Sequence, residues 1–265
     1  MTTPPTVMAA LDRPTPSMGG FSVEILRLEV RRLLRNRRTV LFTLIAPVIF
    51  FLIFGLNSAY ANNRSGSGNV SAVVMISLAL YGAVLATTSG GAMVSIERAL
   101  GWSRQLRLTP LSPTAYIATK MLSSLVLGLA AVLAVYAVGL ITGTPSMPAH
   151  VWVITALCVW IGSLLFAAFG LFIGYLLPSE NVMQIIGFAL MLFSFGGGVF
   201  IPLSQYSPTL QSLAQYTPLY GLNQLVHYPL TGGTVRATWV VNVIAWLVIF
   251  VSGAVWRFRR DTARV

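Results

Sequence analysis

At 265 residues, 56% hydrophobic and only 9% charged, the chain has too few charges to coat a water-soluble body; ordinary globular proteins carry roughly a quarter charged residues. Lipid must replace water over most of its surface, which predicts an all-α polytopic membrane protein. The net charge of +11 does not indicate a nucleic-acid partner, because the basic residues gather at the ends of apolar runs and not in a soluble domain. Cys158 is the single cysteine. It excludes a disulfide framework or a thiolate metal site within one chain, and a packed thiol is its plain reading.

Residues 1–20 are Pro- and Thr-rich without an apolar core, so they read as a disordered cytosolic tail and not as a secretory signal. In the segment 21–38, Val23, Leu26, Val30, Leu33 and Leu34 recur on one helical face, while Glu24, Arg27, Arg31, Arg35 and Arg38 recur on another. This spacing predicts an amphipathic helix lying in the inner leaflet with its arginines toward anionic headgroups. A solvated basic linker is the alternative.

A transmembrane domain is expected over 39–256, with six apolar stretches at 40–56, 70–95, 115–142, 151–177, 182–200 and 237–256. Each approaches the roughly 20 residues that a bilayer crossing requires. Pro47 is expected to bend the first. Lys120 enters the third from its start, close enough for its amine to snorkel to the interface. Basic residues divide 15 to 2 between alternate loops, with Arg64 and Arg236 alone on the minority side. The positive-inside rule therefore puts both termini in the cytosol, including a basic tail over 257–265.

Two loops stand out. The inner loop 96–114 is polar, begins with helical character and breaks at Pro110 and Pro113. The outer segment 201–236 is broken by Pro202, Pro208, Pro218 and Pro229, and its pieces 209–216 and 220–228 mix Leu, Tyr, Gln and Asn. Short re-entrant helices dipping into the outer leaflet, with tyrosines at the interface, are predicted there; a plain extracellular loop is the alternative. Gly82, Ala86 and Gly90 on the second span, and Gly170 and Gly174 on the fourth, are spaced for close helix approach. Three glycines, Gly196, Gly197 and Gly198, would cost a helix about 2–3 kcal/mol relative to alanine. With Pro202 they predict the end of the fifth span and a hinge at an outer gate.

Absent residues narrow the function further. The single lysine, Lys120, lies in Ala118-Thr119-Lys120-Met121, so no phosphate-binding loop exists in the chain. None of the six stretches carries an Asp, Glu or Arg, which removes the usual proton-coupled carrier chemistry. His150 and His227 both fall on the outer side and far apart, so a metal site within one chain is not expected and each reads as a solvated or interfacial residue. An intramembrane hydrolase or transferase would lack its general acid and base. Whatever the chain does, energy must come from a partner, through the inner loop.

Several short patterns share an order. Arg35-Asn36-Arg37-Arg38 precedes the first span, which carries Leu41-Phe42 and Pro47. Glu97-Arg98 comes after the second, then Gly101, Leu106, Leu108, Pro110, Leu111 and Ser112, with Thr119-Lys120 opening the third. Gly170, Gly174 and Ser179, then Gly196–Gly198, Phe200 and Pro202, then Leu213 and Pro218, complete the series. In order and spacing this resembles the type two ABC transporter permeases, the class that includes daunorubicin-resistance-like exporters, over nearly the whole chain. Two departures are visible. Gly101 is followed by Trp102-Ser103-Arg104-Gln105 where relatives often have Gly-Thr-Leu-Glu, and His227-Tyr228 stand where relatives often carry an Arg.

The resemblance implies a permease that dimerises, with an identical or a related chain, and binds two cytosolic ATPase subunits; ATP and magnesium belong to those partners, and this chain is not itself an enzyme. It implies that the flat N-terminal helix and the inner loop form the contact surface, carried by Glu97, Arg98, Gly101, Arg104, Leu108 and Pro110. Arginines there supply charge complementarity, although a loop merely obeying the inside-positive bias would look similar. Glu97 can pair with the neighbours of Arg98 or with the arginine-rich first helix. The expected function is export of a hydrophobic or amphipathic cargo (drug, lipid or lipid-linked glycan) across a bacterial inner membrane. The alternatives are a secondary carrier or channel, and a non-transporting scaffold or immunity protein.

Overall fold

The computed structural model describes residues 17–101 and 111–263. Ser17–Gly20 form a 3-10 turn whose Gly19 carbonyl accepts from the Ser112 amide at 2.8 Å. The segment expected to be a disordered tail through residue 20 is thus structured from Ser17, because this backbone bond ties it to the entry of a long helix.

Helix α1 (Val23–Arg35) starts at Ser22, whose hydroxyl accepts from the Glu24 amide, with Glu24 in the first turn and Arg32 and Arg35 in the last. That charge order matches the helix dipole. Asn36 ends it, and α2 (Arg37–Phe50) continues through a π-helical turn at Phe51–Gly55. The axes before and after the break differ by 63°. Pro47 sits inside α2 and packs into the space left by Gly82.

A two-rung hairpin, β1 (Arg64–Ser65) with β2 (Gly68–Asn69), precedes α3 and is the one departure from an all-α chain among the described residues. Gly66, at φ 59°, makes its turn. Asn69 caps α3 (Val70–Ala92) and also holds a segment far along the chain: its side-chain oxygen accepts from the Ser146 amide and its side-chain amide donates to the Thr144 carbonyl. The hairpin's Ser67 amide donates to the Leu230 carbonyl at 2.8 Å.

Helix α3 is the axle of the molecule. In its apolar stretch 72% of positions are buried, and it packs against α2, α5 (Pro113–Thr142), α6 (Ala149–Gly162), α7 (Leu164–Leu176) and α8 (Val182–Gly196). A helix apolar on all sides belongs at such a centre. Small residues make it possible. Gly91 lies against the Ala167 carbonyl, Gly170 against the Thr88 carbonyl, Gly174 against Ala92, and Gly90 against Ser124. The spaced glycines of both helices thus serve packing within one chain.

Short α4 (Val94–Ala99) prolongs α3 after a break at Met93. Beyond α8 come α9 (Pro208–Ala214), α10 (Tyr220–Thr231) and α11 (Ala237–Ala263). Asn242 of α11 holds both short helices in place: its oxygen accepts from the Gly221 amide, and its amide donates to the Gln215 and Thr217 carbonyls. Helix α10 buries Leu222, Asn223, Val226 and Leu230, whereas α9 leaves Leu210 and Leu213 exposed.

Four helical runs are long and apolar enough to cross a membrane: Val70–Ala99, Thr114–Thr142, Ala149–Leu176 and Ala237–Arg260. The bent pair of α1 and α2 passes the same test jointly, and α8, at 15 residues, is shorter. Only 11% of the α11 stretch is buried, so its apolar face is open to lipid or a partner.

Candidate functional site

At the end of the molecule that carries α1, three elements converge on four charges. Glu97 of α4 accepts from Lys120 Nζ at 2.6 Å, from Arg32 of α1, and from the Tyr116 hydroxyl at 2.6 Å. Lys120 also donates to Glu29 Oε2 at 2.7 Å, and Arg32 lies 3.3 Å from the same carboxylate. The side chains of Glu97 and Lys120 are 7% and 3% exposed. Two carboxylates and two cations cancel, which is what a site this dry demands. Burial opposes the Arg32 charge, but Glu97 and Glu29 hold its guanidinium above its ordinary value.

Local sequence explains the convergence. Tyr116 and Lys120 are one turn apart on α5, so the ring lies under the ammonium, 5.3 Å from its centroid. Glu29 and Arg32 are three apart on α1, which a small apolar cluster of Leu33 with Ala86, Leu127 and Ala131 fastens to α3 and α5. Lys120 therefore does not snorkel outward as expected. With Glu29 and Glu97 brought to it, its amine is satisfied inside and the residue is 2% exposed.

Arg98, adjacent to Glu97, turns the other way. Its guanidinium donates to the Gly174 and Tyr175 carbonyls at 3.2 and 2.8 Å, capping the end of α7 beneath a cation–π contact with Tyr175. Gly101, three residues further on, has φ 77°. Arg104, Leu108 and Pro110 lie outside the described residues, as does the side chain of Arg38. Arg27, Arg31 and Arg35 are exposed on the outer face of α1. So the expected contact residues divide: Glu97 and Arg98 point into the fold and anchor the start of the inner loop, while Arg27, Arg31 and Arg35 remain on the surface. Glu29 was invisible as a partner in sequence; its only signal is the i, i+3 spacing to Arg32.

At the opposite end, the glycine triplet terminates α8. The Gly197 amide donates to Phe193, Gly198 takes φ 77°, and Val199 returns to Ser194. Asn223 donates to the Gly197 carbonyl at 2.9 Å, and Pro202 borders the same region. His227, read as solvated or interfacial, is half-buried in the structure. Because α10 tucks against α3, its ring nitrogens face the Asn223 carbonyl at 2.9 Å and Ser77 Oγ at 3.1 Å. His150 is exposed, and among the described residues no three His, Cys, Asp or Glu come together as metal ligands.

Long apolar helices around a buried helical axle define a multi-pass membrane protein. The family model for the ABC-2 type transporter matches residues 23–230, and the chain belongs to that family. It is 27% identical over 226 residues to the protein of Bacillus subtilis (strain 168) named "Putative transport permease YvfS", across 84% of this chain and 90% of that one. The chain is thus a transporter permease, with ABC ATPases as the family's implied partners.

Proposed function

We propose that this chain is the six-span permease of an ATP-driven exporter for hydrophobic or amphipathic cargo. Helices α2 and α8 supply the first and fifth crossings, both termini are cytosolic, and two permease chains act with two separate ATPase subunits. The ion cluster of Glu29, Arg32, Glu97 and Lys120 carries the reading. It locks the surface helix α1 to α4 and α5 directly beside the inner loop, so a push on α1 or that loop moves the long helices as a unit. The absence of a phosphate-binding loop from the whole sequence supports assigning the energy to a partner. Reconstitution into liposomes with and without the partner ATPase tests this. Efflux of an amphipathic dye is expected only with the partner and ATP. Transport by the chain alone, or movement of small polar solutes only, would overturn it.

A further inference from the structure

At the end opposite the ion cluster, a cavity of about 900 Å³ opens between the end of α2, the start of α3, the loop after α8, and α10. Its volume is within the usual range for small-molecule sites. Phe54, Phe195 and Phe200 give it an aromatic wall, and no lining residue carries a formal charge. One wall is polar and is built from Ser77, Asn223 and His227.

The hydrogen bonding of that wall leaves one group over. Asn223 Nδ2 donates to the Gly197 carbonyl, which sets the orientation of the amide and makes Oδ1 the free end. Facing the Asn223 backbone carbonyl, His227 Nδ1 donates in the neutral ring; Nε2 then accepts from the Ser77 hydroxyl at 3.1 Å, and only the protonated ring could also donate to the Val73 carbonyl, 3.3 Å away. Burial favours that neutral ring by pushing the imidazole below its ordinary value, although the backbone bonds of Asn223 and Val73 pull the other way. Asn223 is 6% exposed, yet Oδ1 meets no donor among the described residues. A buried acceptor left without a donor is costly, and a ligand that donates to it recovers that cost. An ion entering the cavity would find no opposite charge to replace its water.

We infer that this cavity binds an uncharged amphiphile, with its apolar body against the phenylalanines and a hydroxyl or amide N–H donating to Asn223 Oδ1. As a binding site it stands alone; as a stop on an export route it rests on the function proposed above.

The test uses the full chain in nanodiscs and a diazirine-bearing hexadecanol as photoprobe, with cross-links mapped by peptide mass spectrometry. Labels are expected on α3 and α10. Unlabelled hexadecanol should compete about tenfold better than hexadecyl methyl ether, which lacks the donor, and better than palmitate, which is an anion. Asn223→Leu should erase the gap between alcohol and ether. Ser204→Trp, which adds bulk at an exposed residue of the cavity lining, should abolish labelling there while leaving lipid-facing labels on α11. Equal competition by the ether, stronger competition by palmitate, or labels on α11 alone would overturn the inference. So would protection of the cavity by a second copy of the chain, seen as Ser204→Cys cross-linking between protomers. Labelling as expected, with no effect of hexadecanol on ATP hydrolysis by the partner, would keep the site and remove it from the export route.

Discussion

Lys120 is shared by two carboxylates and has almost no contact with solvent. Lys120→Met would leave Glu29 and Glu97 facing a single arginine, and breaking a buried pair from one side costs roughly 3–5 kcal/mol. A large fall in thermal stability in detergent is expected. Lys120→Met with Glu97→Gln restores the charge balance and should recover part of that loss, and a double-mutant cycle reads the coupling. His227 offers a pH test. Its folded pKa lies below the ordinary 6.5, so the unfolded chain binds the proton more readily. Its contribution is present above that value and is lost as pH falls through the lower, folded one. Unfolding measured at pH 7.5 and 5.5 should show a smaller drop for His227→Gln than for the native chain.

Among the elements, glycines with different surroundings should answer differently to the same change. A Cβ on Gly170 would collide with the Thr88 carbonyl of α3, so Gly170→Ala forces two helix backbones apart at a cost of about 1–3 kcal/mol. Nothing lies within 4 Å of a Cβ at Gly187, in the middle of α8, and Gly187→Ala should be neutral or stabilise by about 0.5–1 kcal/mol. Parallel thermal melts decide both. Part of this level was readable in advance: the end of α8 at its glycines and the close approach at Gly170 and Gly174 both derive from local chemistry. Burial of α10 was not readable, because Leu222, Val226 and Leu230 look alike whether they meet lipid or α3. The pairing of Glu29 with Lys120 was hidden for the same reason, since it depends on how α1 docks and not on any spacing within one helix. Asn242→Ala should loosen α9 and α10 together, by removing the acceptor of Gly221 and the donor to Gln215 and Thr217. Faster amide hydrogen exchange over 215–231 is the expected readout.

Across the whole molecule the two ends are built by different means. One end is fastened by charge, through α1, α4 and α5; the other by backbone bonds from the hairpin and Asn69 to segments far along the chain. Raised salt acts weakly on buried pairs, so neither fastening should yield to ionic strength, and stability in detergent should change little between low and high sodium chloride. The hairpin end carries a further consequence for biogenesis. The amide of Asn69 finds its partner 75 residues later at Thr144, and the hydroxyl of Ser67 finds its partner 163 residues later at Leu230. A ribosome releases those segments in sequence, so the first helical hairpin must wait in the bilayer with its loop unfinished. The clasp can close only once the last third of the polypeptide has arrived.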